Sequence, residues 1–334
     1  MPAAQAAAPR VPQLRHLRRA RGHRHRVGEL IRAALTFPGQ GSQVAGMAEG
    51  LLDTALARTL LDAASARGLD LRAALAGDDD ALRPTDIAQP ALLLVEAVLA
   101  EAVMHAAEGL EVVGVAGHSV GEYAALVAVG ALDPAEAMGL VVERGRAMAA
   151  MREGGMAALL GAEAALAEEI CRDVAAEGGG VVVVANLNAP GQVVLSGARD
   201  ALDRALVLAR ERGVRRAMPL NVSGAFHSPL MAPAAERFGA LLDAAAFRDA
   251  TVPVACNVDG EAVSDATGLR DRLRRQLTAP VRWVDCVTTL RSLGAELLVE
   301  VGPGSVLSGL ARRIAPEART VSVSRLDDAV AVHA

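Results

Sequence analysis

An α/β fold, with a parallel central sheet in a large domain and a smaller domain inserted into it, is what the 334-residue sequence predicts. Three observations carry that expectation. Apolar, β-branched runs alternate with Ala/Leu-rich helical stretches along the chain. One such run, residues 111–116, ends in Gly117-His118-Ser119-Val120-Gly121 and passes at once into a helical pattern. That is the strand–turn–helix context of a nucleophile elbow, as in α/β-hydrolase-like domains. Residues 154–221 then break from this texture and read β-α-β-β-α-β, the ferredoxin-like order.

Composition narrows the options. The chain is 52% hydrophobic but only 2% aromatic, so its core must be built from Ala, Val and Leu. The best apolar run, residues 91–100, contains Glu96 and falls short of the roughly 18 residues of a membrane span. Three cysteines (Cys171, Cys256, Cys286) are spaced too widely to suggest a disulfide framework or a zinc site, which fits a reducing, cytoplasmic setting. All 34 basic residues are arginine, so no lysine can act as a Schiff base or general base. Residues 1–33 hold eight arginines and one acid, a balance of +7, leaving −12 on the remainder of a chain whose net charge is −5. That leading stretch has neither a strong apolar period nor an apolar signal-peptide core. A disordered tail is expected, ahead of a targeting or nucleic-acid-binding arm.

In order, the fold is expected to open with a strand at 33–37, broken by Pro38-Gly39-Gln40-Gly41-Ser42-Gln43. Val44 stands where a dinucleotide loop would need its third glycine. Helices follow at about 49–67 and 90–107, with Asp78-Asp79-Asp80 in a solvated loop between them. After the elbow helix, Asp133-Pro134 reads as an N-cap followed by proline at the first helical position, opening a helix to about 151. The inserted unit has strands at 156–160, 181–187, 192–196 and 214–220, with helices at 163–176 and 198–212. The large domain resumes with a helix at about 230–246, a strand at 252–258, a helix ending near Gln276-Leu277 and another from Trp283. The expected final core strand is 297–301, turned by Gly302-Pro303-Gly304 into the last helix. The expected bounds are thus an arginine-rich tail at 1–32, a large domain at 33–153 and 222–327, a small ferredoxin-like domain at 154–221, and a C-terminal tail at 328–334.

Ser119 is the candidate nucleophile. At an elbow the serine takes a strained backbone conformation, with Gly117 and Gly121 where a Cβ would clash, and the Val120 N–H faces any oxyanion formed beside it. A serine needs a positioned base. Of seven histidines, His16, His23, His25 and His333 lie in the terminal segments and His105 in a helical pattern. His118 adjoins the serine, but neighbours on an elbow point apart. His227 follows the nucleophile in chain order, on a Gly/Ser/Pro-rich loop, as the base of such a site does. No acid for a triad is identifiable nearby, so a backbone carbonyl is expected to hold its Nδ1–H.

Five stretches together carry a resemblance. Phe37-Pro38-Gly39-Gln40-Gly41-Ser42-Gln43, Gly117-His118-Ser119-Val120-Gly121-Glu122-Tyr123, Ala225-Phe226-His227-Ser228, Arg275-Gln276-Leu277 and Val301-Gly302-Pro303-Gly304 closely resemble malonyl-CoA:acyl carrier protein transacylases and the related acyltransferase domains of polyketide and fatty-acid synthases. The resemblance covers about residues 33–327, in order and spacing. It implies a malonyl-seryl enzyme on Ser119 with His227 as base, and transfer to the phosphopantetheine thiol of an acyl carrier protein. It implies an oxyanion hole from the Gln40 and Val120 N–H groups. Arg144, 25 residues after the serine, would grip the malonyl carboxylate, a pairing that suits a planar guanidinium. Read alone, Arg144 could equally pair on a helix surface with Glu143 or Glu136. Gln276 would orient His227, Phe226 is the residue of malonyl-selective members, and His118 is counted with the substrate-binding surface. No cofactor or metal is implied, nor a nucleic-acid or membrane partner, and family members are usually monomers. The competing readings are a serine thioesterase, which has no use for a carboxylate clamp, and a non-catalytic carrier-protein-binding module.

Overall fold

The structure, a computed structural model, describes residues 30–106 and 109–332. The chain runs β1 (Ile31–Phe37), α1 (Ala55–Ala66), α2 (Leu71–Leu75), α3 (Thr85–Ala106), β2 (Leu110–Gly117), α4 (Gly121–Ala128) and α5 (Pro134–Ala149). Then come β3 (Gly155–Leu160), α6 (Ala164–Ala176), β4 (Val182–Ala189), β5 (Gln192–Gly197), α7 (Arg199–Glu211) and β6 (Arg216–Pro219). After a 3₁₀ turn at Pro229–Met231 follow α8 (Ala232–Ala244), β7 (Val254–Ala255), β8 (Ala262–Val263), α9 (Ala266–Gln276) and α10 (Trp283–Ser292). The chain closes with β9 (Leu297–Val301), α11 (Val306–Ile314), β10 (Arg319–Val323) and α12 (Leu326–Ala331).

The large sheet has the order β10-β9-β1-β2-β7-β8 and is parallel except for the β7–β8 hairpin. Helices cover both faces, so the central strands read as continuous apolar runs; all five residues of β9 are buried. The exception within β9, Glu300, accepts bonds from the Leu307 and Ser308 N–H groups at the start of α11 and so ties helix to sheet. The second sheet has the order β4-β5-β3-β6, antiparallel throughout, which is the ferredoxin-like arrangement expected for the insertion. Its β4 edge bonds to the Val281 segment of the large sheet's connections through Leu187 N to Val281 O at 2.9 Å and Val281 N to Ala185 O at 2.8 Å. Those two bonds seat the small sheet over the carboxyl ends of β1 and β2.

Several bounds differ from the sequence reading. β1 begins at Ile31, so Ile31 and Arg32, assigned to the tail, pair with Leu110 and Glu111; the rest of that stretch, to residue 29, lies outside the described residues. The first helix is shorter than expected, starting at the Thr54 cap, and α2 went unread. α3 starts at Thr85, about five residues early, and contains Pro90. Proline there forfeits one ladder bond within the first two turns, which a helix this long absorbs. The most apolar 18 residues of α3 have mean hydropathy 1.7, a longer run than the sequence reading allowed, but 78% of that window is buried. Close packing replaces aromatic bulk around it: a Cβ at Gly145 of α5 would stand 2.9 Å from the Asp86 Cα. The strand expected at 252–258 shrinks to two residues because Asn257 leaves the ladder for another task. β10, unread in the sequence, is an edge strand whose Arg319, Thr320 and Ser322 masked it. The expected C-terminal tail includes most of α12, with Ala329 and Val332 buried; residues 333–334 lie outside the described residues.

Candidate active site

At the end of β2 the chain turns so sharply that only glycine fits on either side. A Cβ at Gly117 would stand 1.9 Å from the Gly121 carbonyl carbon, and one at Gly121 would stand 2.3 Å from the Phe37 oxygen. Among the described residues the only non-glycine positions with positive φ are Ser119 (54°) and His227 (57°). Such backbone is costly for an L-residue and persists where its surroundings over-determine it. Here it brings two side chains from distant loops together, with Ser119 Oγ and His227 Nε2 2.8 Å apart. His227 Nδ1 lies 2.9 Å from the Gln276 carbonyl oxygen. An acceptor there fixes the tautomer: Nδ1–H donates to Gln276, and Nε2 is left to accept the serine proton. The backbone carbonyl expected in place of a triad acid is therefore Gln276. Burial, reinforced by the nearby Arg144 charge, pushes His227 down to about 3, so the imidazole is neutral over the whole physiological range.

Arg144 is buried, at 1% exposure, and takes no part in a surface pair. Glu143 instead bonds Arg146 at 3.0 Å, and Glu136 accepts from the Ala246 N–H. The Arg144 guanidinium donates to Gln89 Oε1 at 2.6 Å, to Gln276 Oε1 at 2.9 Å and to Ser119 Oγ at 3.1 Å, and lies over the Tyr123 ring at 5.6 Å. All three acceptors are neutral. A cation held this deep with no carboxylate in direct contact, Glu122 reaching it only across the Gln276 amide, is expensive, and the cost falls when an anion arrives.

Residues unread in the sequence complete the frame. Asn257 Oδ1 accepts from the Ser119 N–H at 2.7 Å while its Nδ2 donates to the Gly117 oxygen at 2.7 Å, bracketing the elbow. Reading 252–258 as a strand hid it. Gln89, seen only as a helix start, holds Arg144. Glu122 was visible within the elbow motif but had no assigned partner; its Oε2 accepts from the Gln276 Nε2 at 2.9 Å and from the Asn257 N–H at 3.2 Å. Burial pushes Glu122 up to about 7, against the pull of those two bonds and of Arg144. His118 turns away from the dyad: its Nε2 lies 2.9 Å from Asn188 Oδ1 and its ring tilts against Trp283. Gln40 is anchored through its side chain to Thr85 Oγ1 at 3.1 Å. Among the described residues, neither the Gln40 nor the Val120 main-chain N–H has an acceptor.

These groups border one cavity of about 180 Å³, between the loops of the large sheet and the small sheet. Ser119, His227, Arg144, Gln40, Val120, Phe226 and His118 all line it, whereas Gln276 acts from behind. The arrangement offers an activated hydroxyl, free N–H donors and a buried cation within one small volume.

Comparison with known proteins agrees with this chemistry. The family model described as acyl transferase domain matches residues 35–326. The malonyl CoA-acyl carrier protein transacylase of Bacillus subtilis (strain 168) is 40% identical, over 88% of this chain and 94% of that protein. The crystal structure of the Synechocystis sp. PCC 6803 malonyl-CoA:ACP transacylase superposes with a TM-score of 0.82 at 38% identity, over 90% of this chain and 100% of that one. A malonyl-transacylase solved in complex with a type II PKS acyl-carrier protein superposes with a TM-score of 0.83 at 35% identity, covering 90% and 99% of the two chains.

Proposed function

Because the chain belongs to the acyl transferase family, we propose that it moves the malonyl group from malonyl-CoA to the phosphopantetheine thiol of an acyl carrier protein, supplying extender units for fatty-acid or polyketide synthesis. Ser119 Oγ attacks the thioester carbonyl carbon while its proton passes to His227 Nε2. The carbon–sulfur bond breaks, and the imidazolium returns the proton to the departing CoA sulfur. In the second half the carrier's thiol gives its proton to His227, its sulfur attacks the malonyl ester, and Ser119 leaves reprotonated. The charge that forms on the carbonyl oxygen in each half is met by the Val120 and Gln40 N–H groups, preorganised donors in a site shielded from water. Phe226 and His118 form part of the wall against which the acyl group lies. The three thiols, all buried and unpaired, suit a reducing, cytoplasmic setting.

The observation that carries this reading is Arg144, a buried guanidinium bonded only to neutral acceptors and 3.1 Å from Ser119 Oγ. In a malonyl ester the free carboxylate is three bonds from that oxygen, within the reach of the guanidinium. A neutral acyl group offers nothing to pair with it, which disfavours a simple thioesterase. Arg144→Ala leaves the malonyl carboxylate without its counter-charge, a loss of about 2–5 kcal/mol. Acetyl transfer carries no such penalty. Rates measured with malonyl-CoA and acetyl-CoA are therefore expected to show a flattened or inverted preference in the variant. Equal losses on both donors would make Arg144 structural and move the clamp elsewhere.

A further inference from the structure

Glu122 is a buried carboxyl beneath the nucleophile that the chemistry above does not use. It lies in the first turn of α4, where an acid ordinarily complements the helix's own N-terminus. Its Oε2 instead accepts from two other loops, the Asn257 N–H at 3.2 Å and the Gln276 Nε2 at 2.9 Å. The second bond decides an orientation. The Gln276 amide nitrogen donates to Glu122 Oε2 and to the Ser119 main-chain carbonyl oxygen at 3.0 Å, which leaves Oε1 facing the Arg144 Nη2. Turned over, the amide would oppose two acceptors with its oxygen and a guanidinium with its NH₂, so every contact would become repulsive. The main chain of Gln276 meanwhile supplies the oxygen that holds His227 Nδ1. Asn257, held by the same carboxylate oxygen, brackets the Ser119 peptide.

We propose that Glu122 is the positioning residue of this site, a single acceptor that sets the Gln276 amide for the Arg144 guanidinium and aligns both loops that hold Ser119 and His227. The proposal rests on the acyl-transfer reading for its donor preference but not for its reactivity readout. What matters in it is where the acceptor oxygen stands. Glu122→Asp keeps the carboxylate and withdraws the oxygen by one methylene; Glu122→Gln keeps an oxygen at full length and removes the charge.

The test measures the rate at which a fluorophosphonate probe labels Ser119, the labelling end point as a count of folded sites, and the malonyl/acetyl preference per counted site. For Glu122→Asp the expectation is a loss of about 100-fold in labelling rate, the size of effect that a misplacement near 1 Å produces. Its malonyl/acetyl preference should also fall by about tenfold, the equivalent of one lost hydrogen bond to Arg144. Glu122→Gln should recover most of both losses. A merely structural role would lower the end point or the melting temperature while leaving rate and preference per site at the wild-type level, and that result overturns the proposal. So does an equal loss in the Asp and Gln variants, which would assign the effect to charge and not to the acceptor. Wild-type protein that labels at Ser119 but transfers no malonyl would sink the acyl-transfer reading alone, with the labelling rates still deciding Glu122.

Discussion

Across the cavity, the loops of the large sheet face the small antiparallel sheet, and the two sides are made of different material. The large-sheet side holds Ser119, His227, Arg144 and Gln89, joined by side-chain hydrogen bonds and resting on two residues of left-handed backbone, with Gln40 anchored alongside to Thr85. The small-sheet side contributes Met156, Val194 and Leu220 with the two amides Asn186 and Asn188. Behind that wall is a separate core of Ala, Val, Leu and Ile, and its ion pairs, such as Arg204 with Glu177 at 2.7 Å, stand on the surface. On the proposed function, one side supplies reactivity and the other supplies shape. Substitutions on the first should therefore act on rate, and on the second mainly on stability.

The sharpest division is expected at the dyad. Ser119→Ala should abolish the acyl-enzyme, and His227→Ala should slow its formation on the order of a thousandfold or more. Incubation with radiolabelled malonyl-CoA followed by peptide mapping reads both effects. Label that persists in Ser119→Ala would remove that serine as the nucleophile and collapse the contrast between the two sides.

A subtler break lies in pH. His227 is held down to about 3, so the base is not lost as the pH falls through the ordinary histidine value near 6.5. Acyl-enzyme formation should keep its base to well below pH 5, as single-turnover rates would show. Stability behaves differently, because the unfolded chain binds a proton that the folded His227 refuses. Between 6.5 and about 3 this residue subtracts stability as the pH drops. Glu122, raised to about 7, has the opposite sign: its contribution is full below about 4.5 and is lost as the pH rises to about 7. Urea midpoints measured from pH 4 to 8 should therefore climb more steeply with pH in Glu122→Gln than in the wild type. Parallel curves would show that Glu122 does not titrate there.

The smallest effect on chemistry is expected from the other side. Leu195, fully buried in the small-sheet core, should cost about 2–5 kcal/mol when truncated to Ala. Transfer per folded molecule should nevertheless stay at the wild-type level, measured against an active-site titration. Arg204→Ala, on the exposed pair, should change neither rate nor melting temperature. A rate loss in Leu195→Ala would mean that the small sheet aligns the reacting groups and does more than wall them in.

What could be read from the chain follows the same division. The elbow, the inserted β-α-β-β-α-β unit and the buried strand at 297–301 are local patterns, each specified by a few consecutive residues and a period. Ser119 and His227 were legible because their chemistry is rare in such a setting, and Arg144 through the family resemblance, since read alone it could equally have been a helix-surface residue. Asn257, Gln89 and Asn188 were not, because an amide that braces a loop looks like any amide until the loops are folded together. β10 was missed for a related reason: an edge strand has one free side and tolerates the arginine, threonine and serine that disguised it. Glu122 lay in plain view inside a motif, yet its two partners are 135 and 154 residues away.

The paired left-handed residues, Ser119 and His227, also bear on how this molecule can change. A side chain in that backbone region costs roughly 1–2 kcal/mol relative to ordinary helical backbone. The protein is therefore locally strained at the two residues proposed to carry its chemistry, and a drift toward stability alone would favour glycine at both. Only selection for turnover holds the hydroxyl and the imidazole in place. A copy of this chain released from that selection would be expected to lose its chemistry first and its fold last.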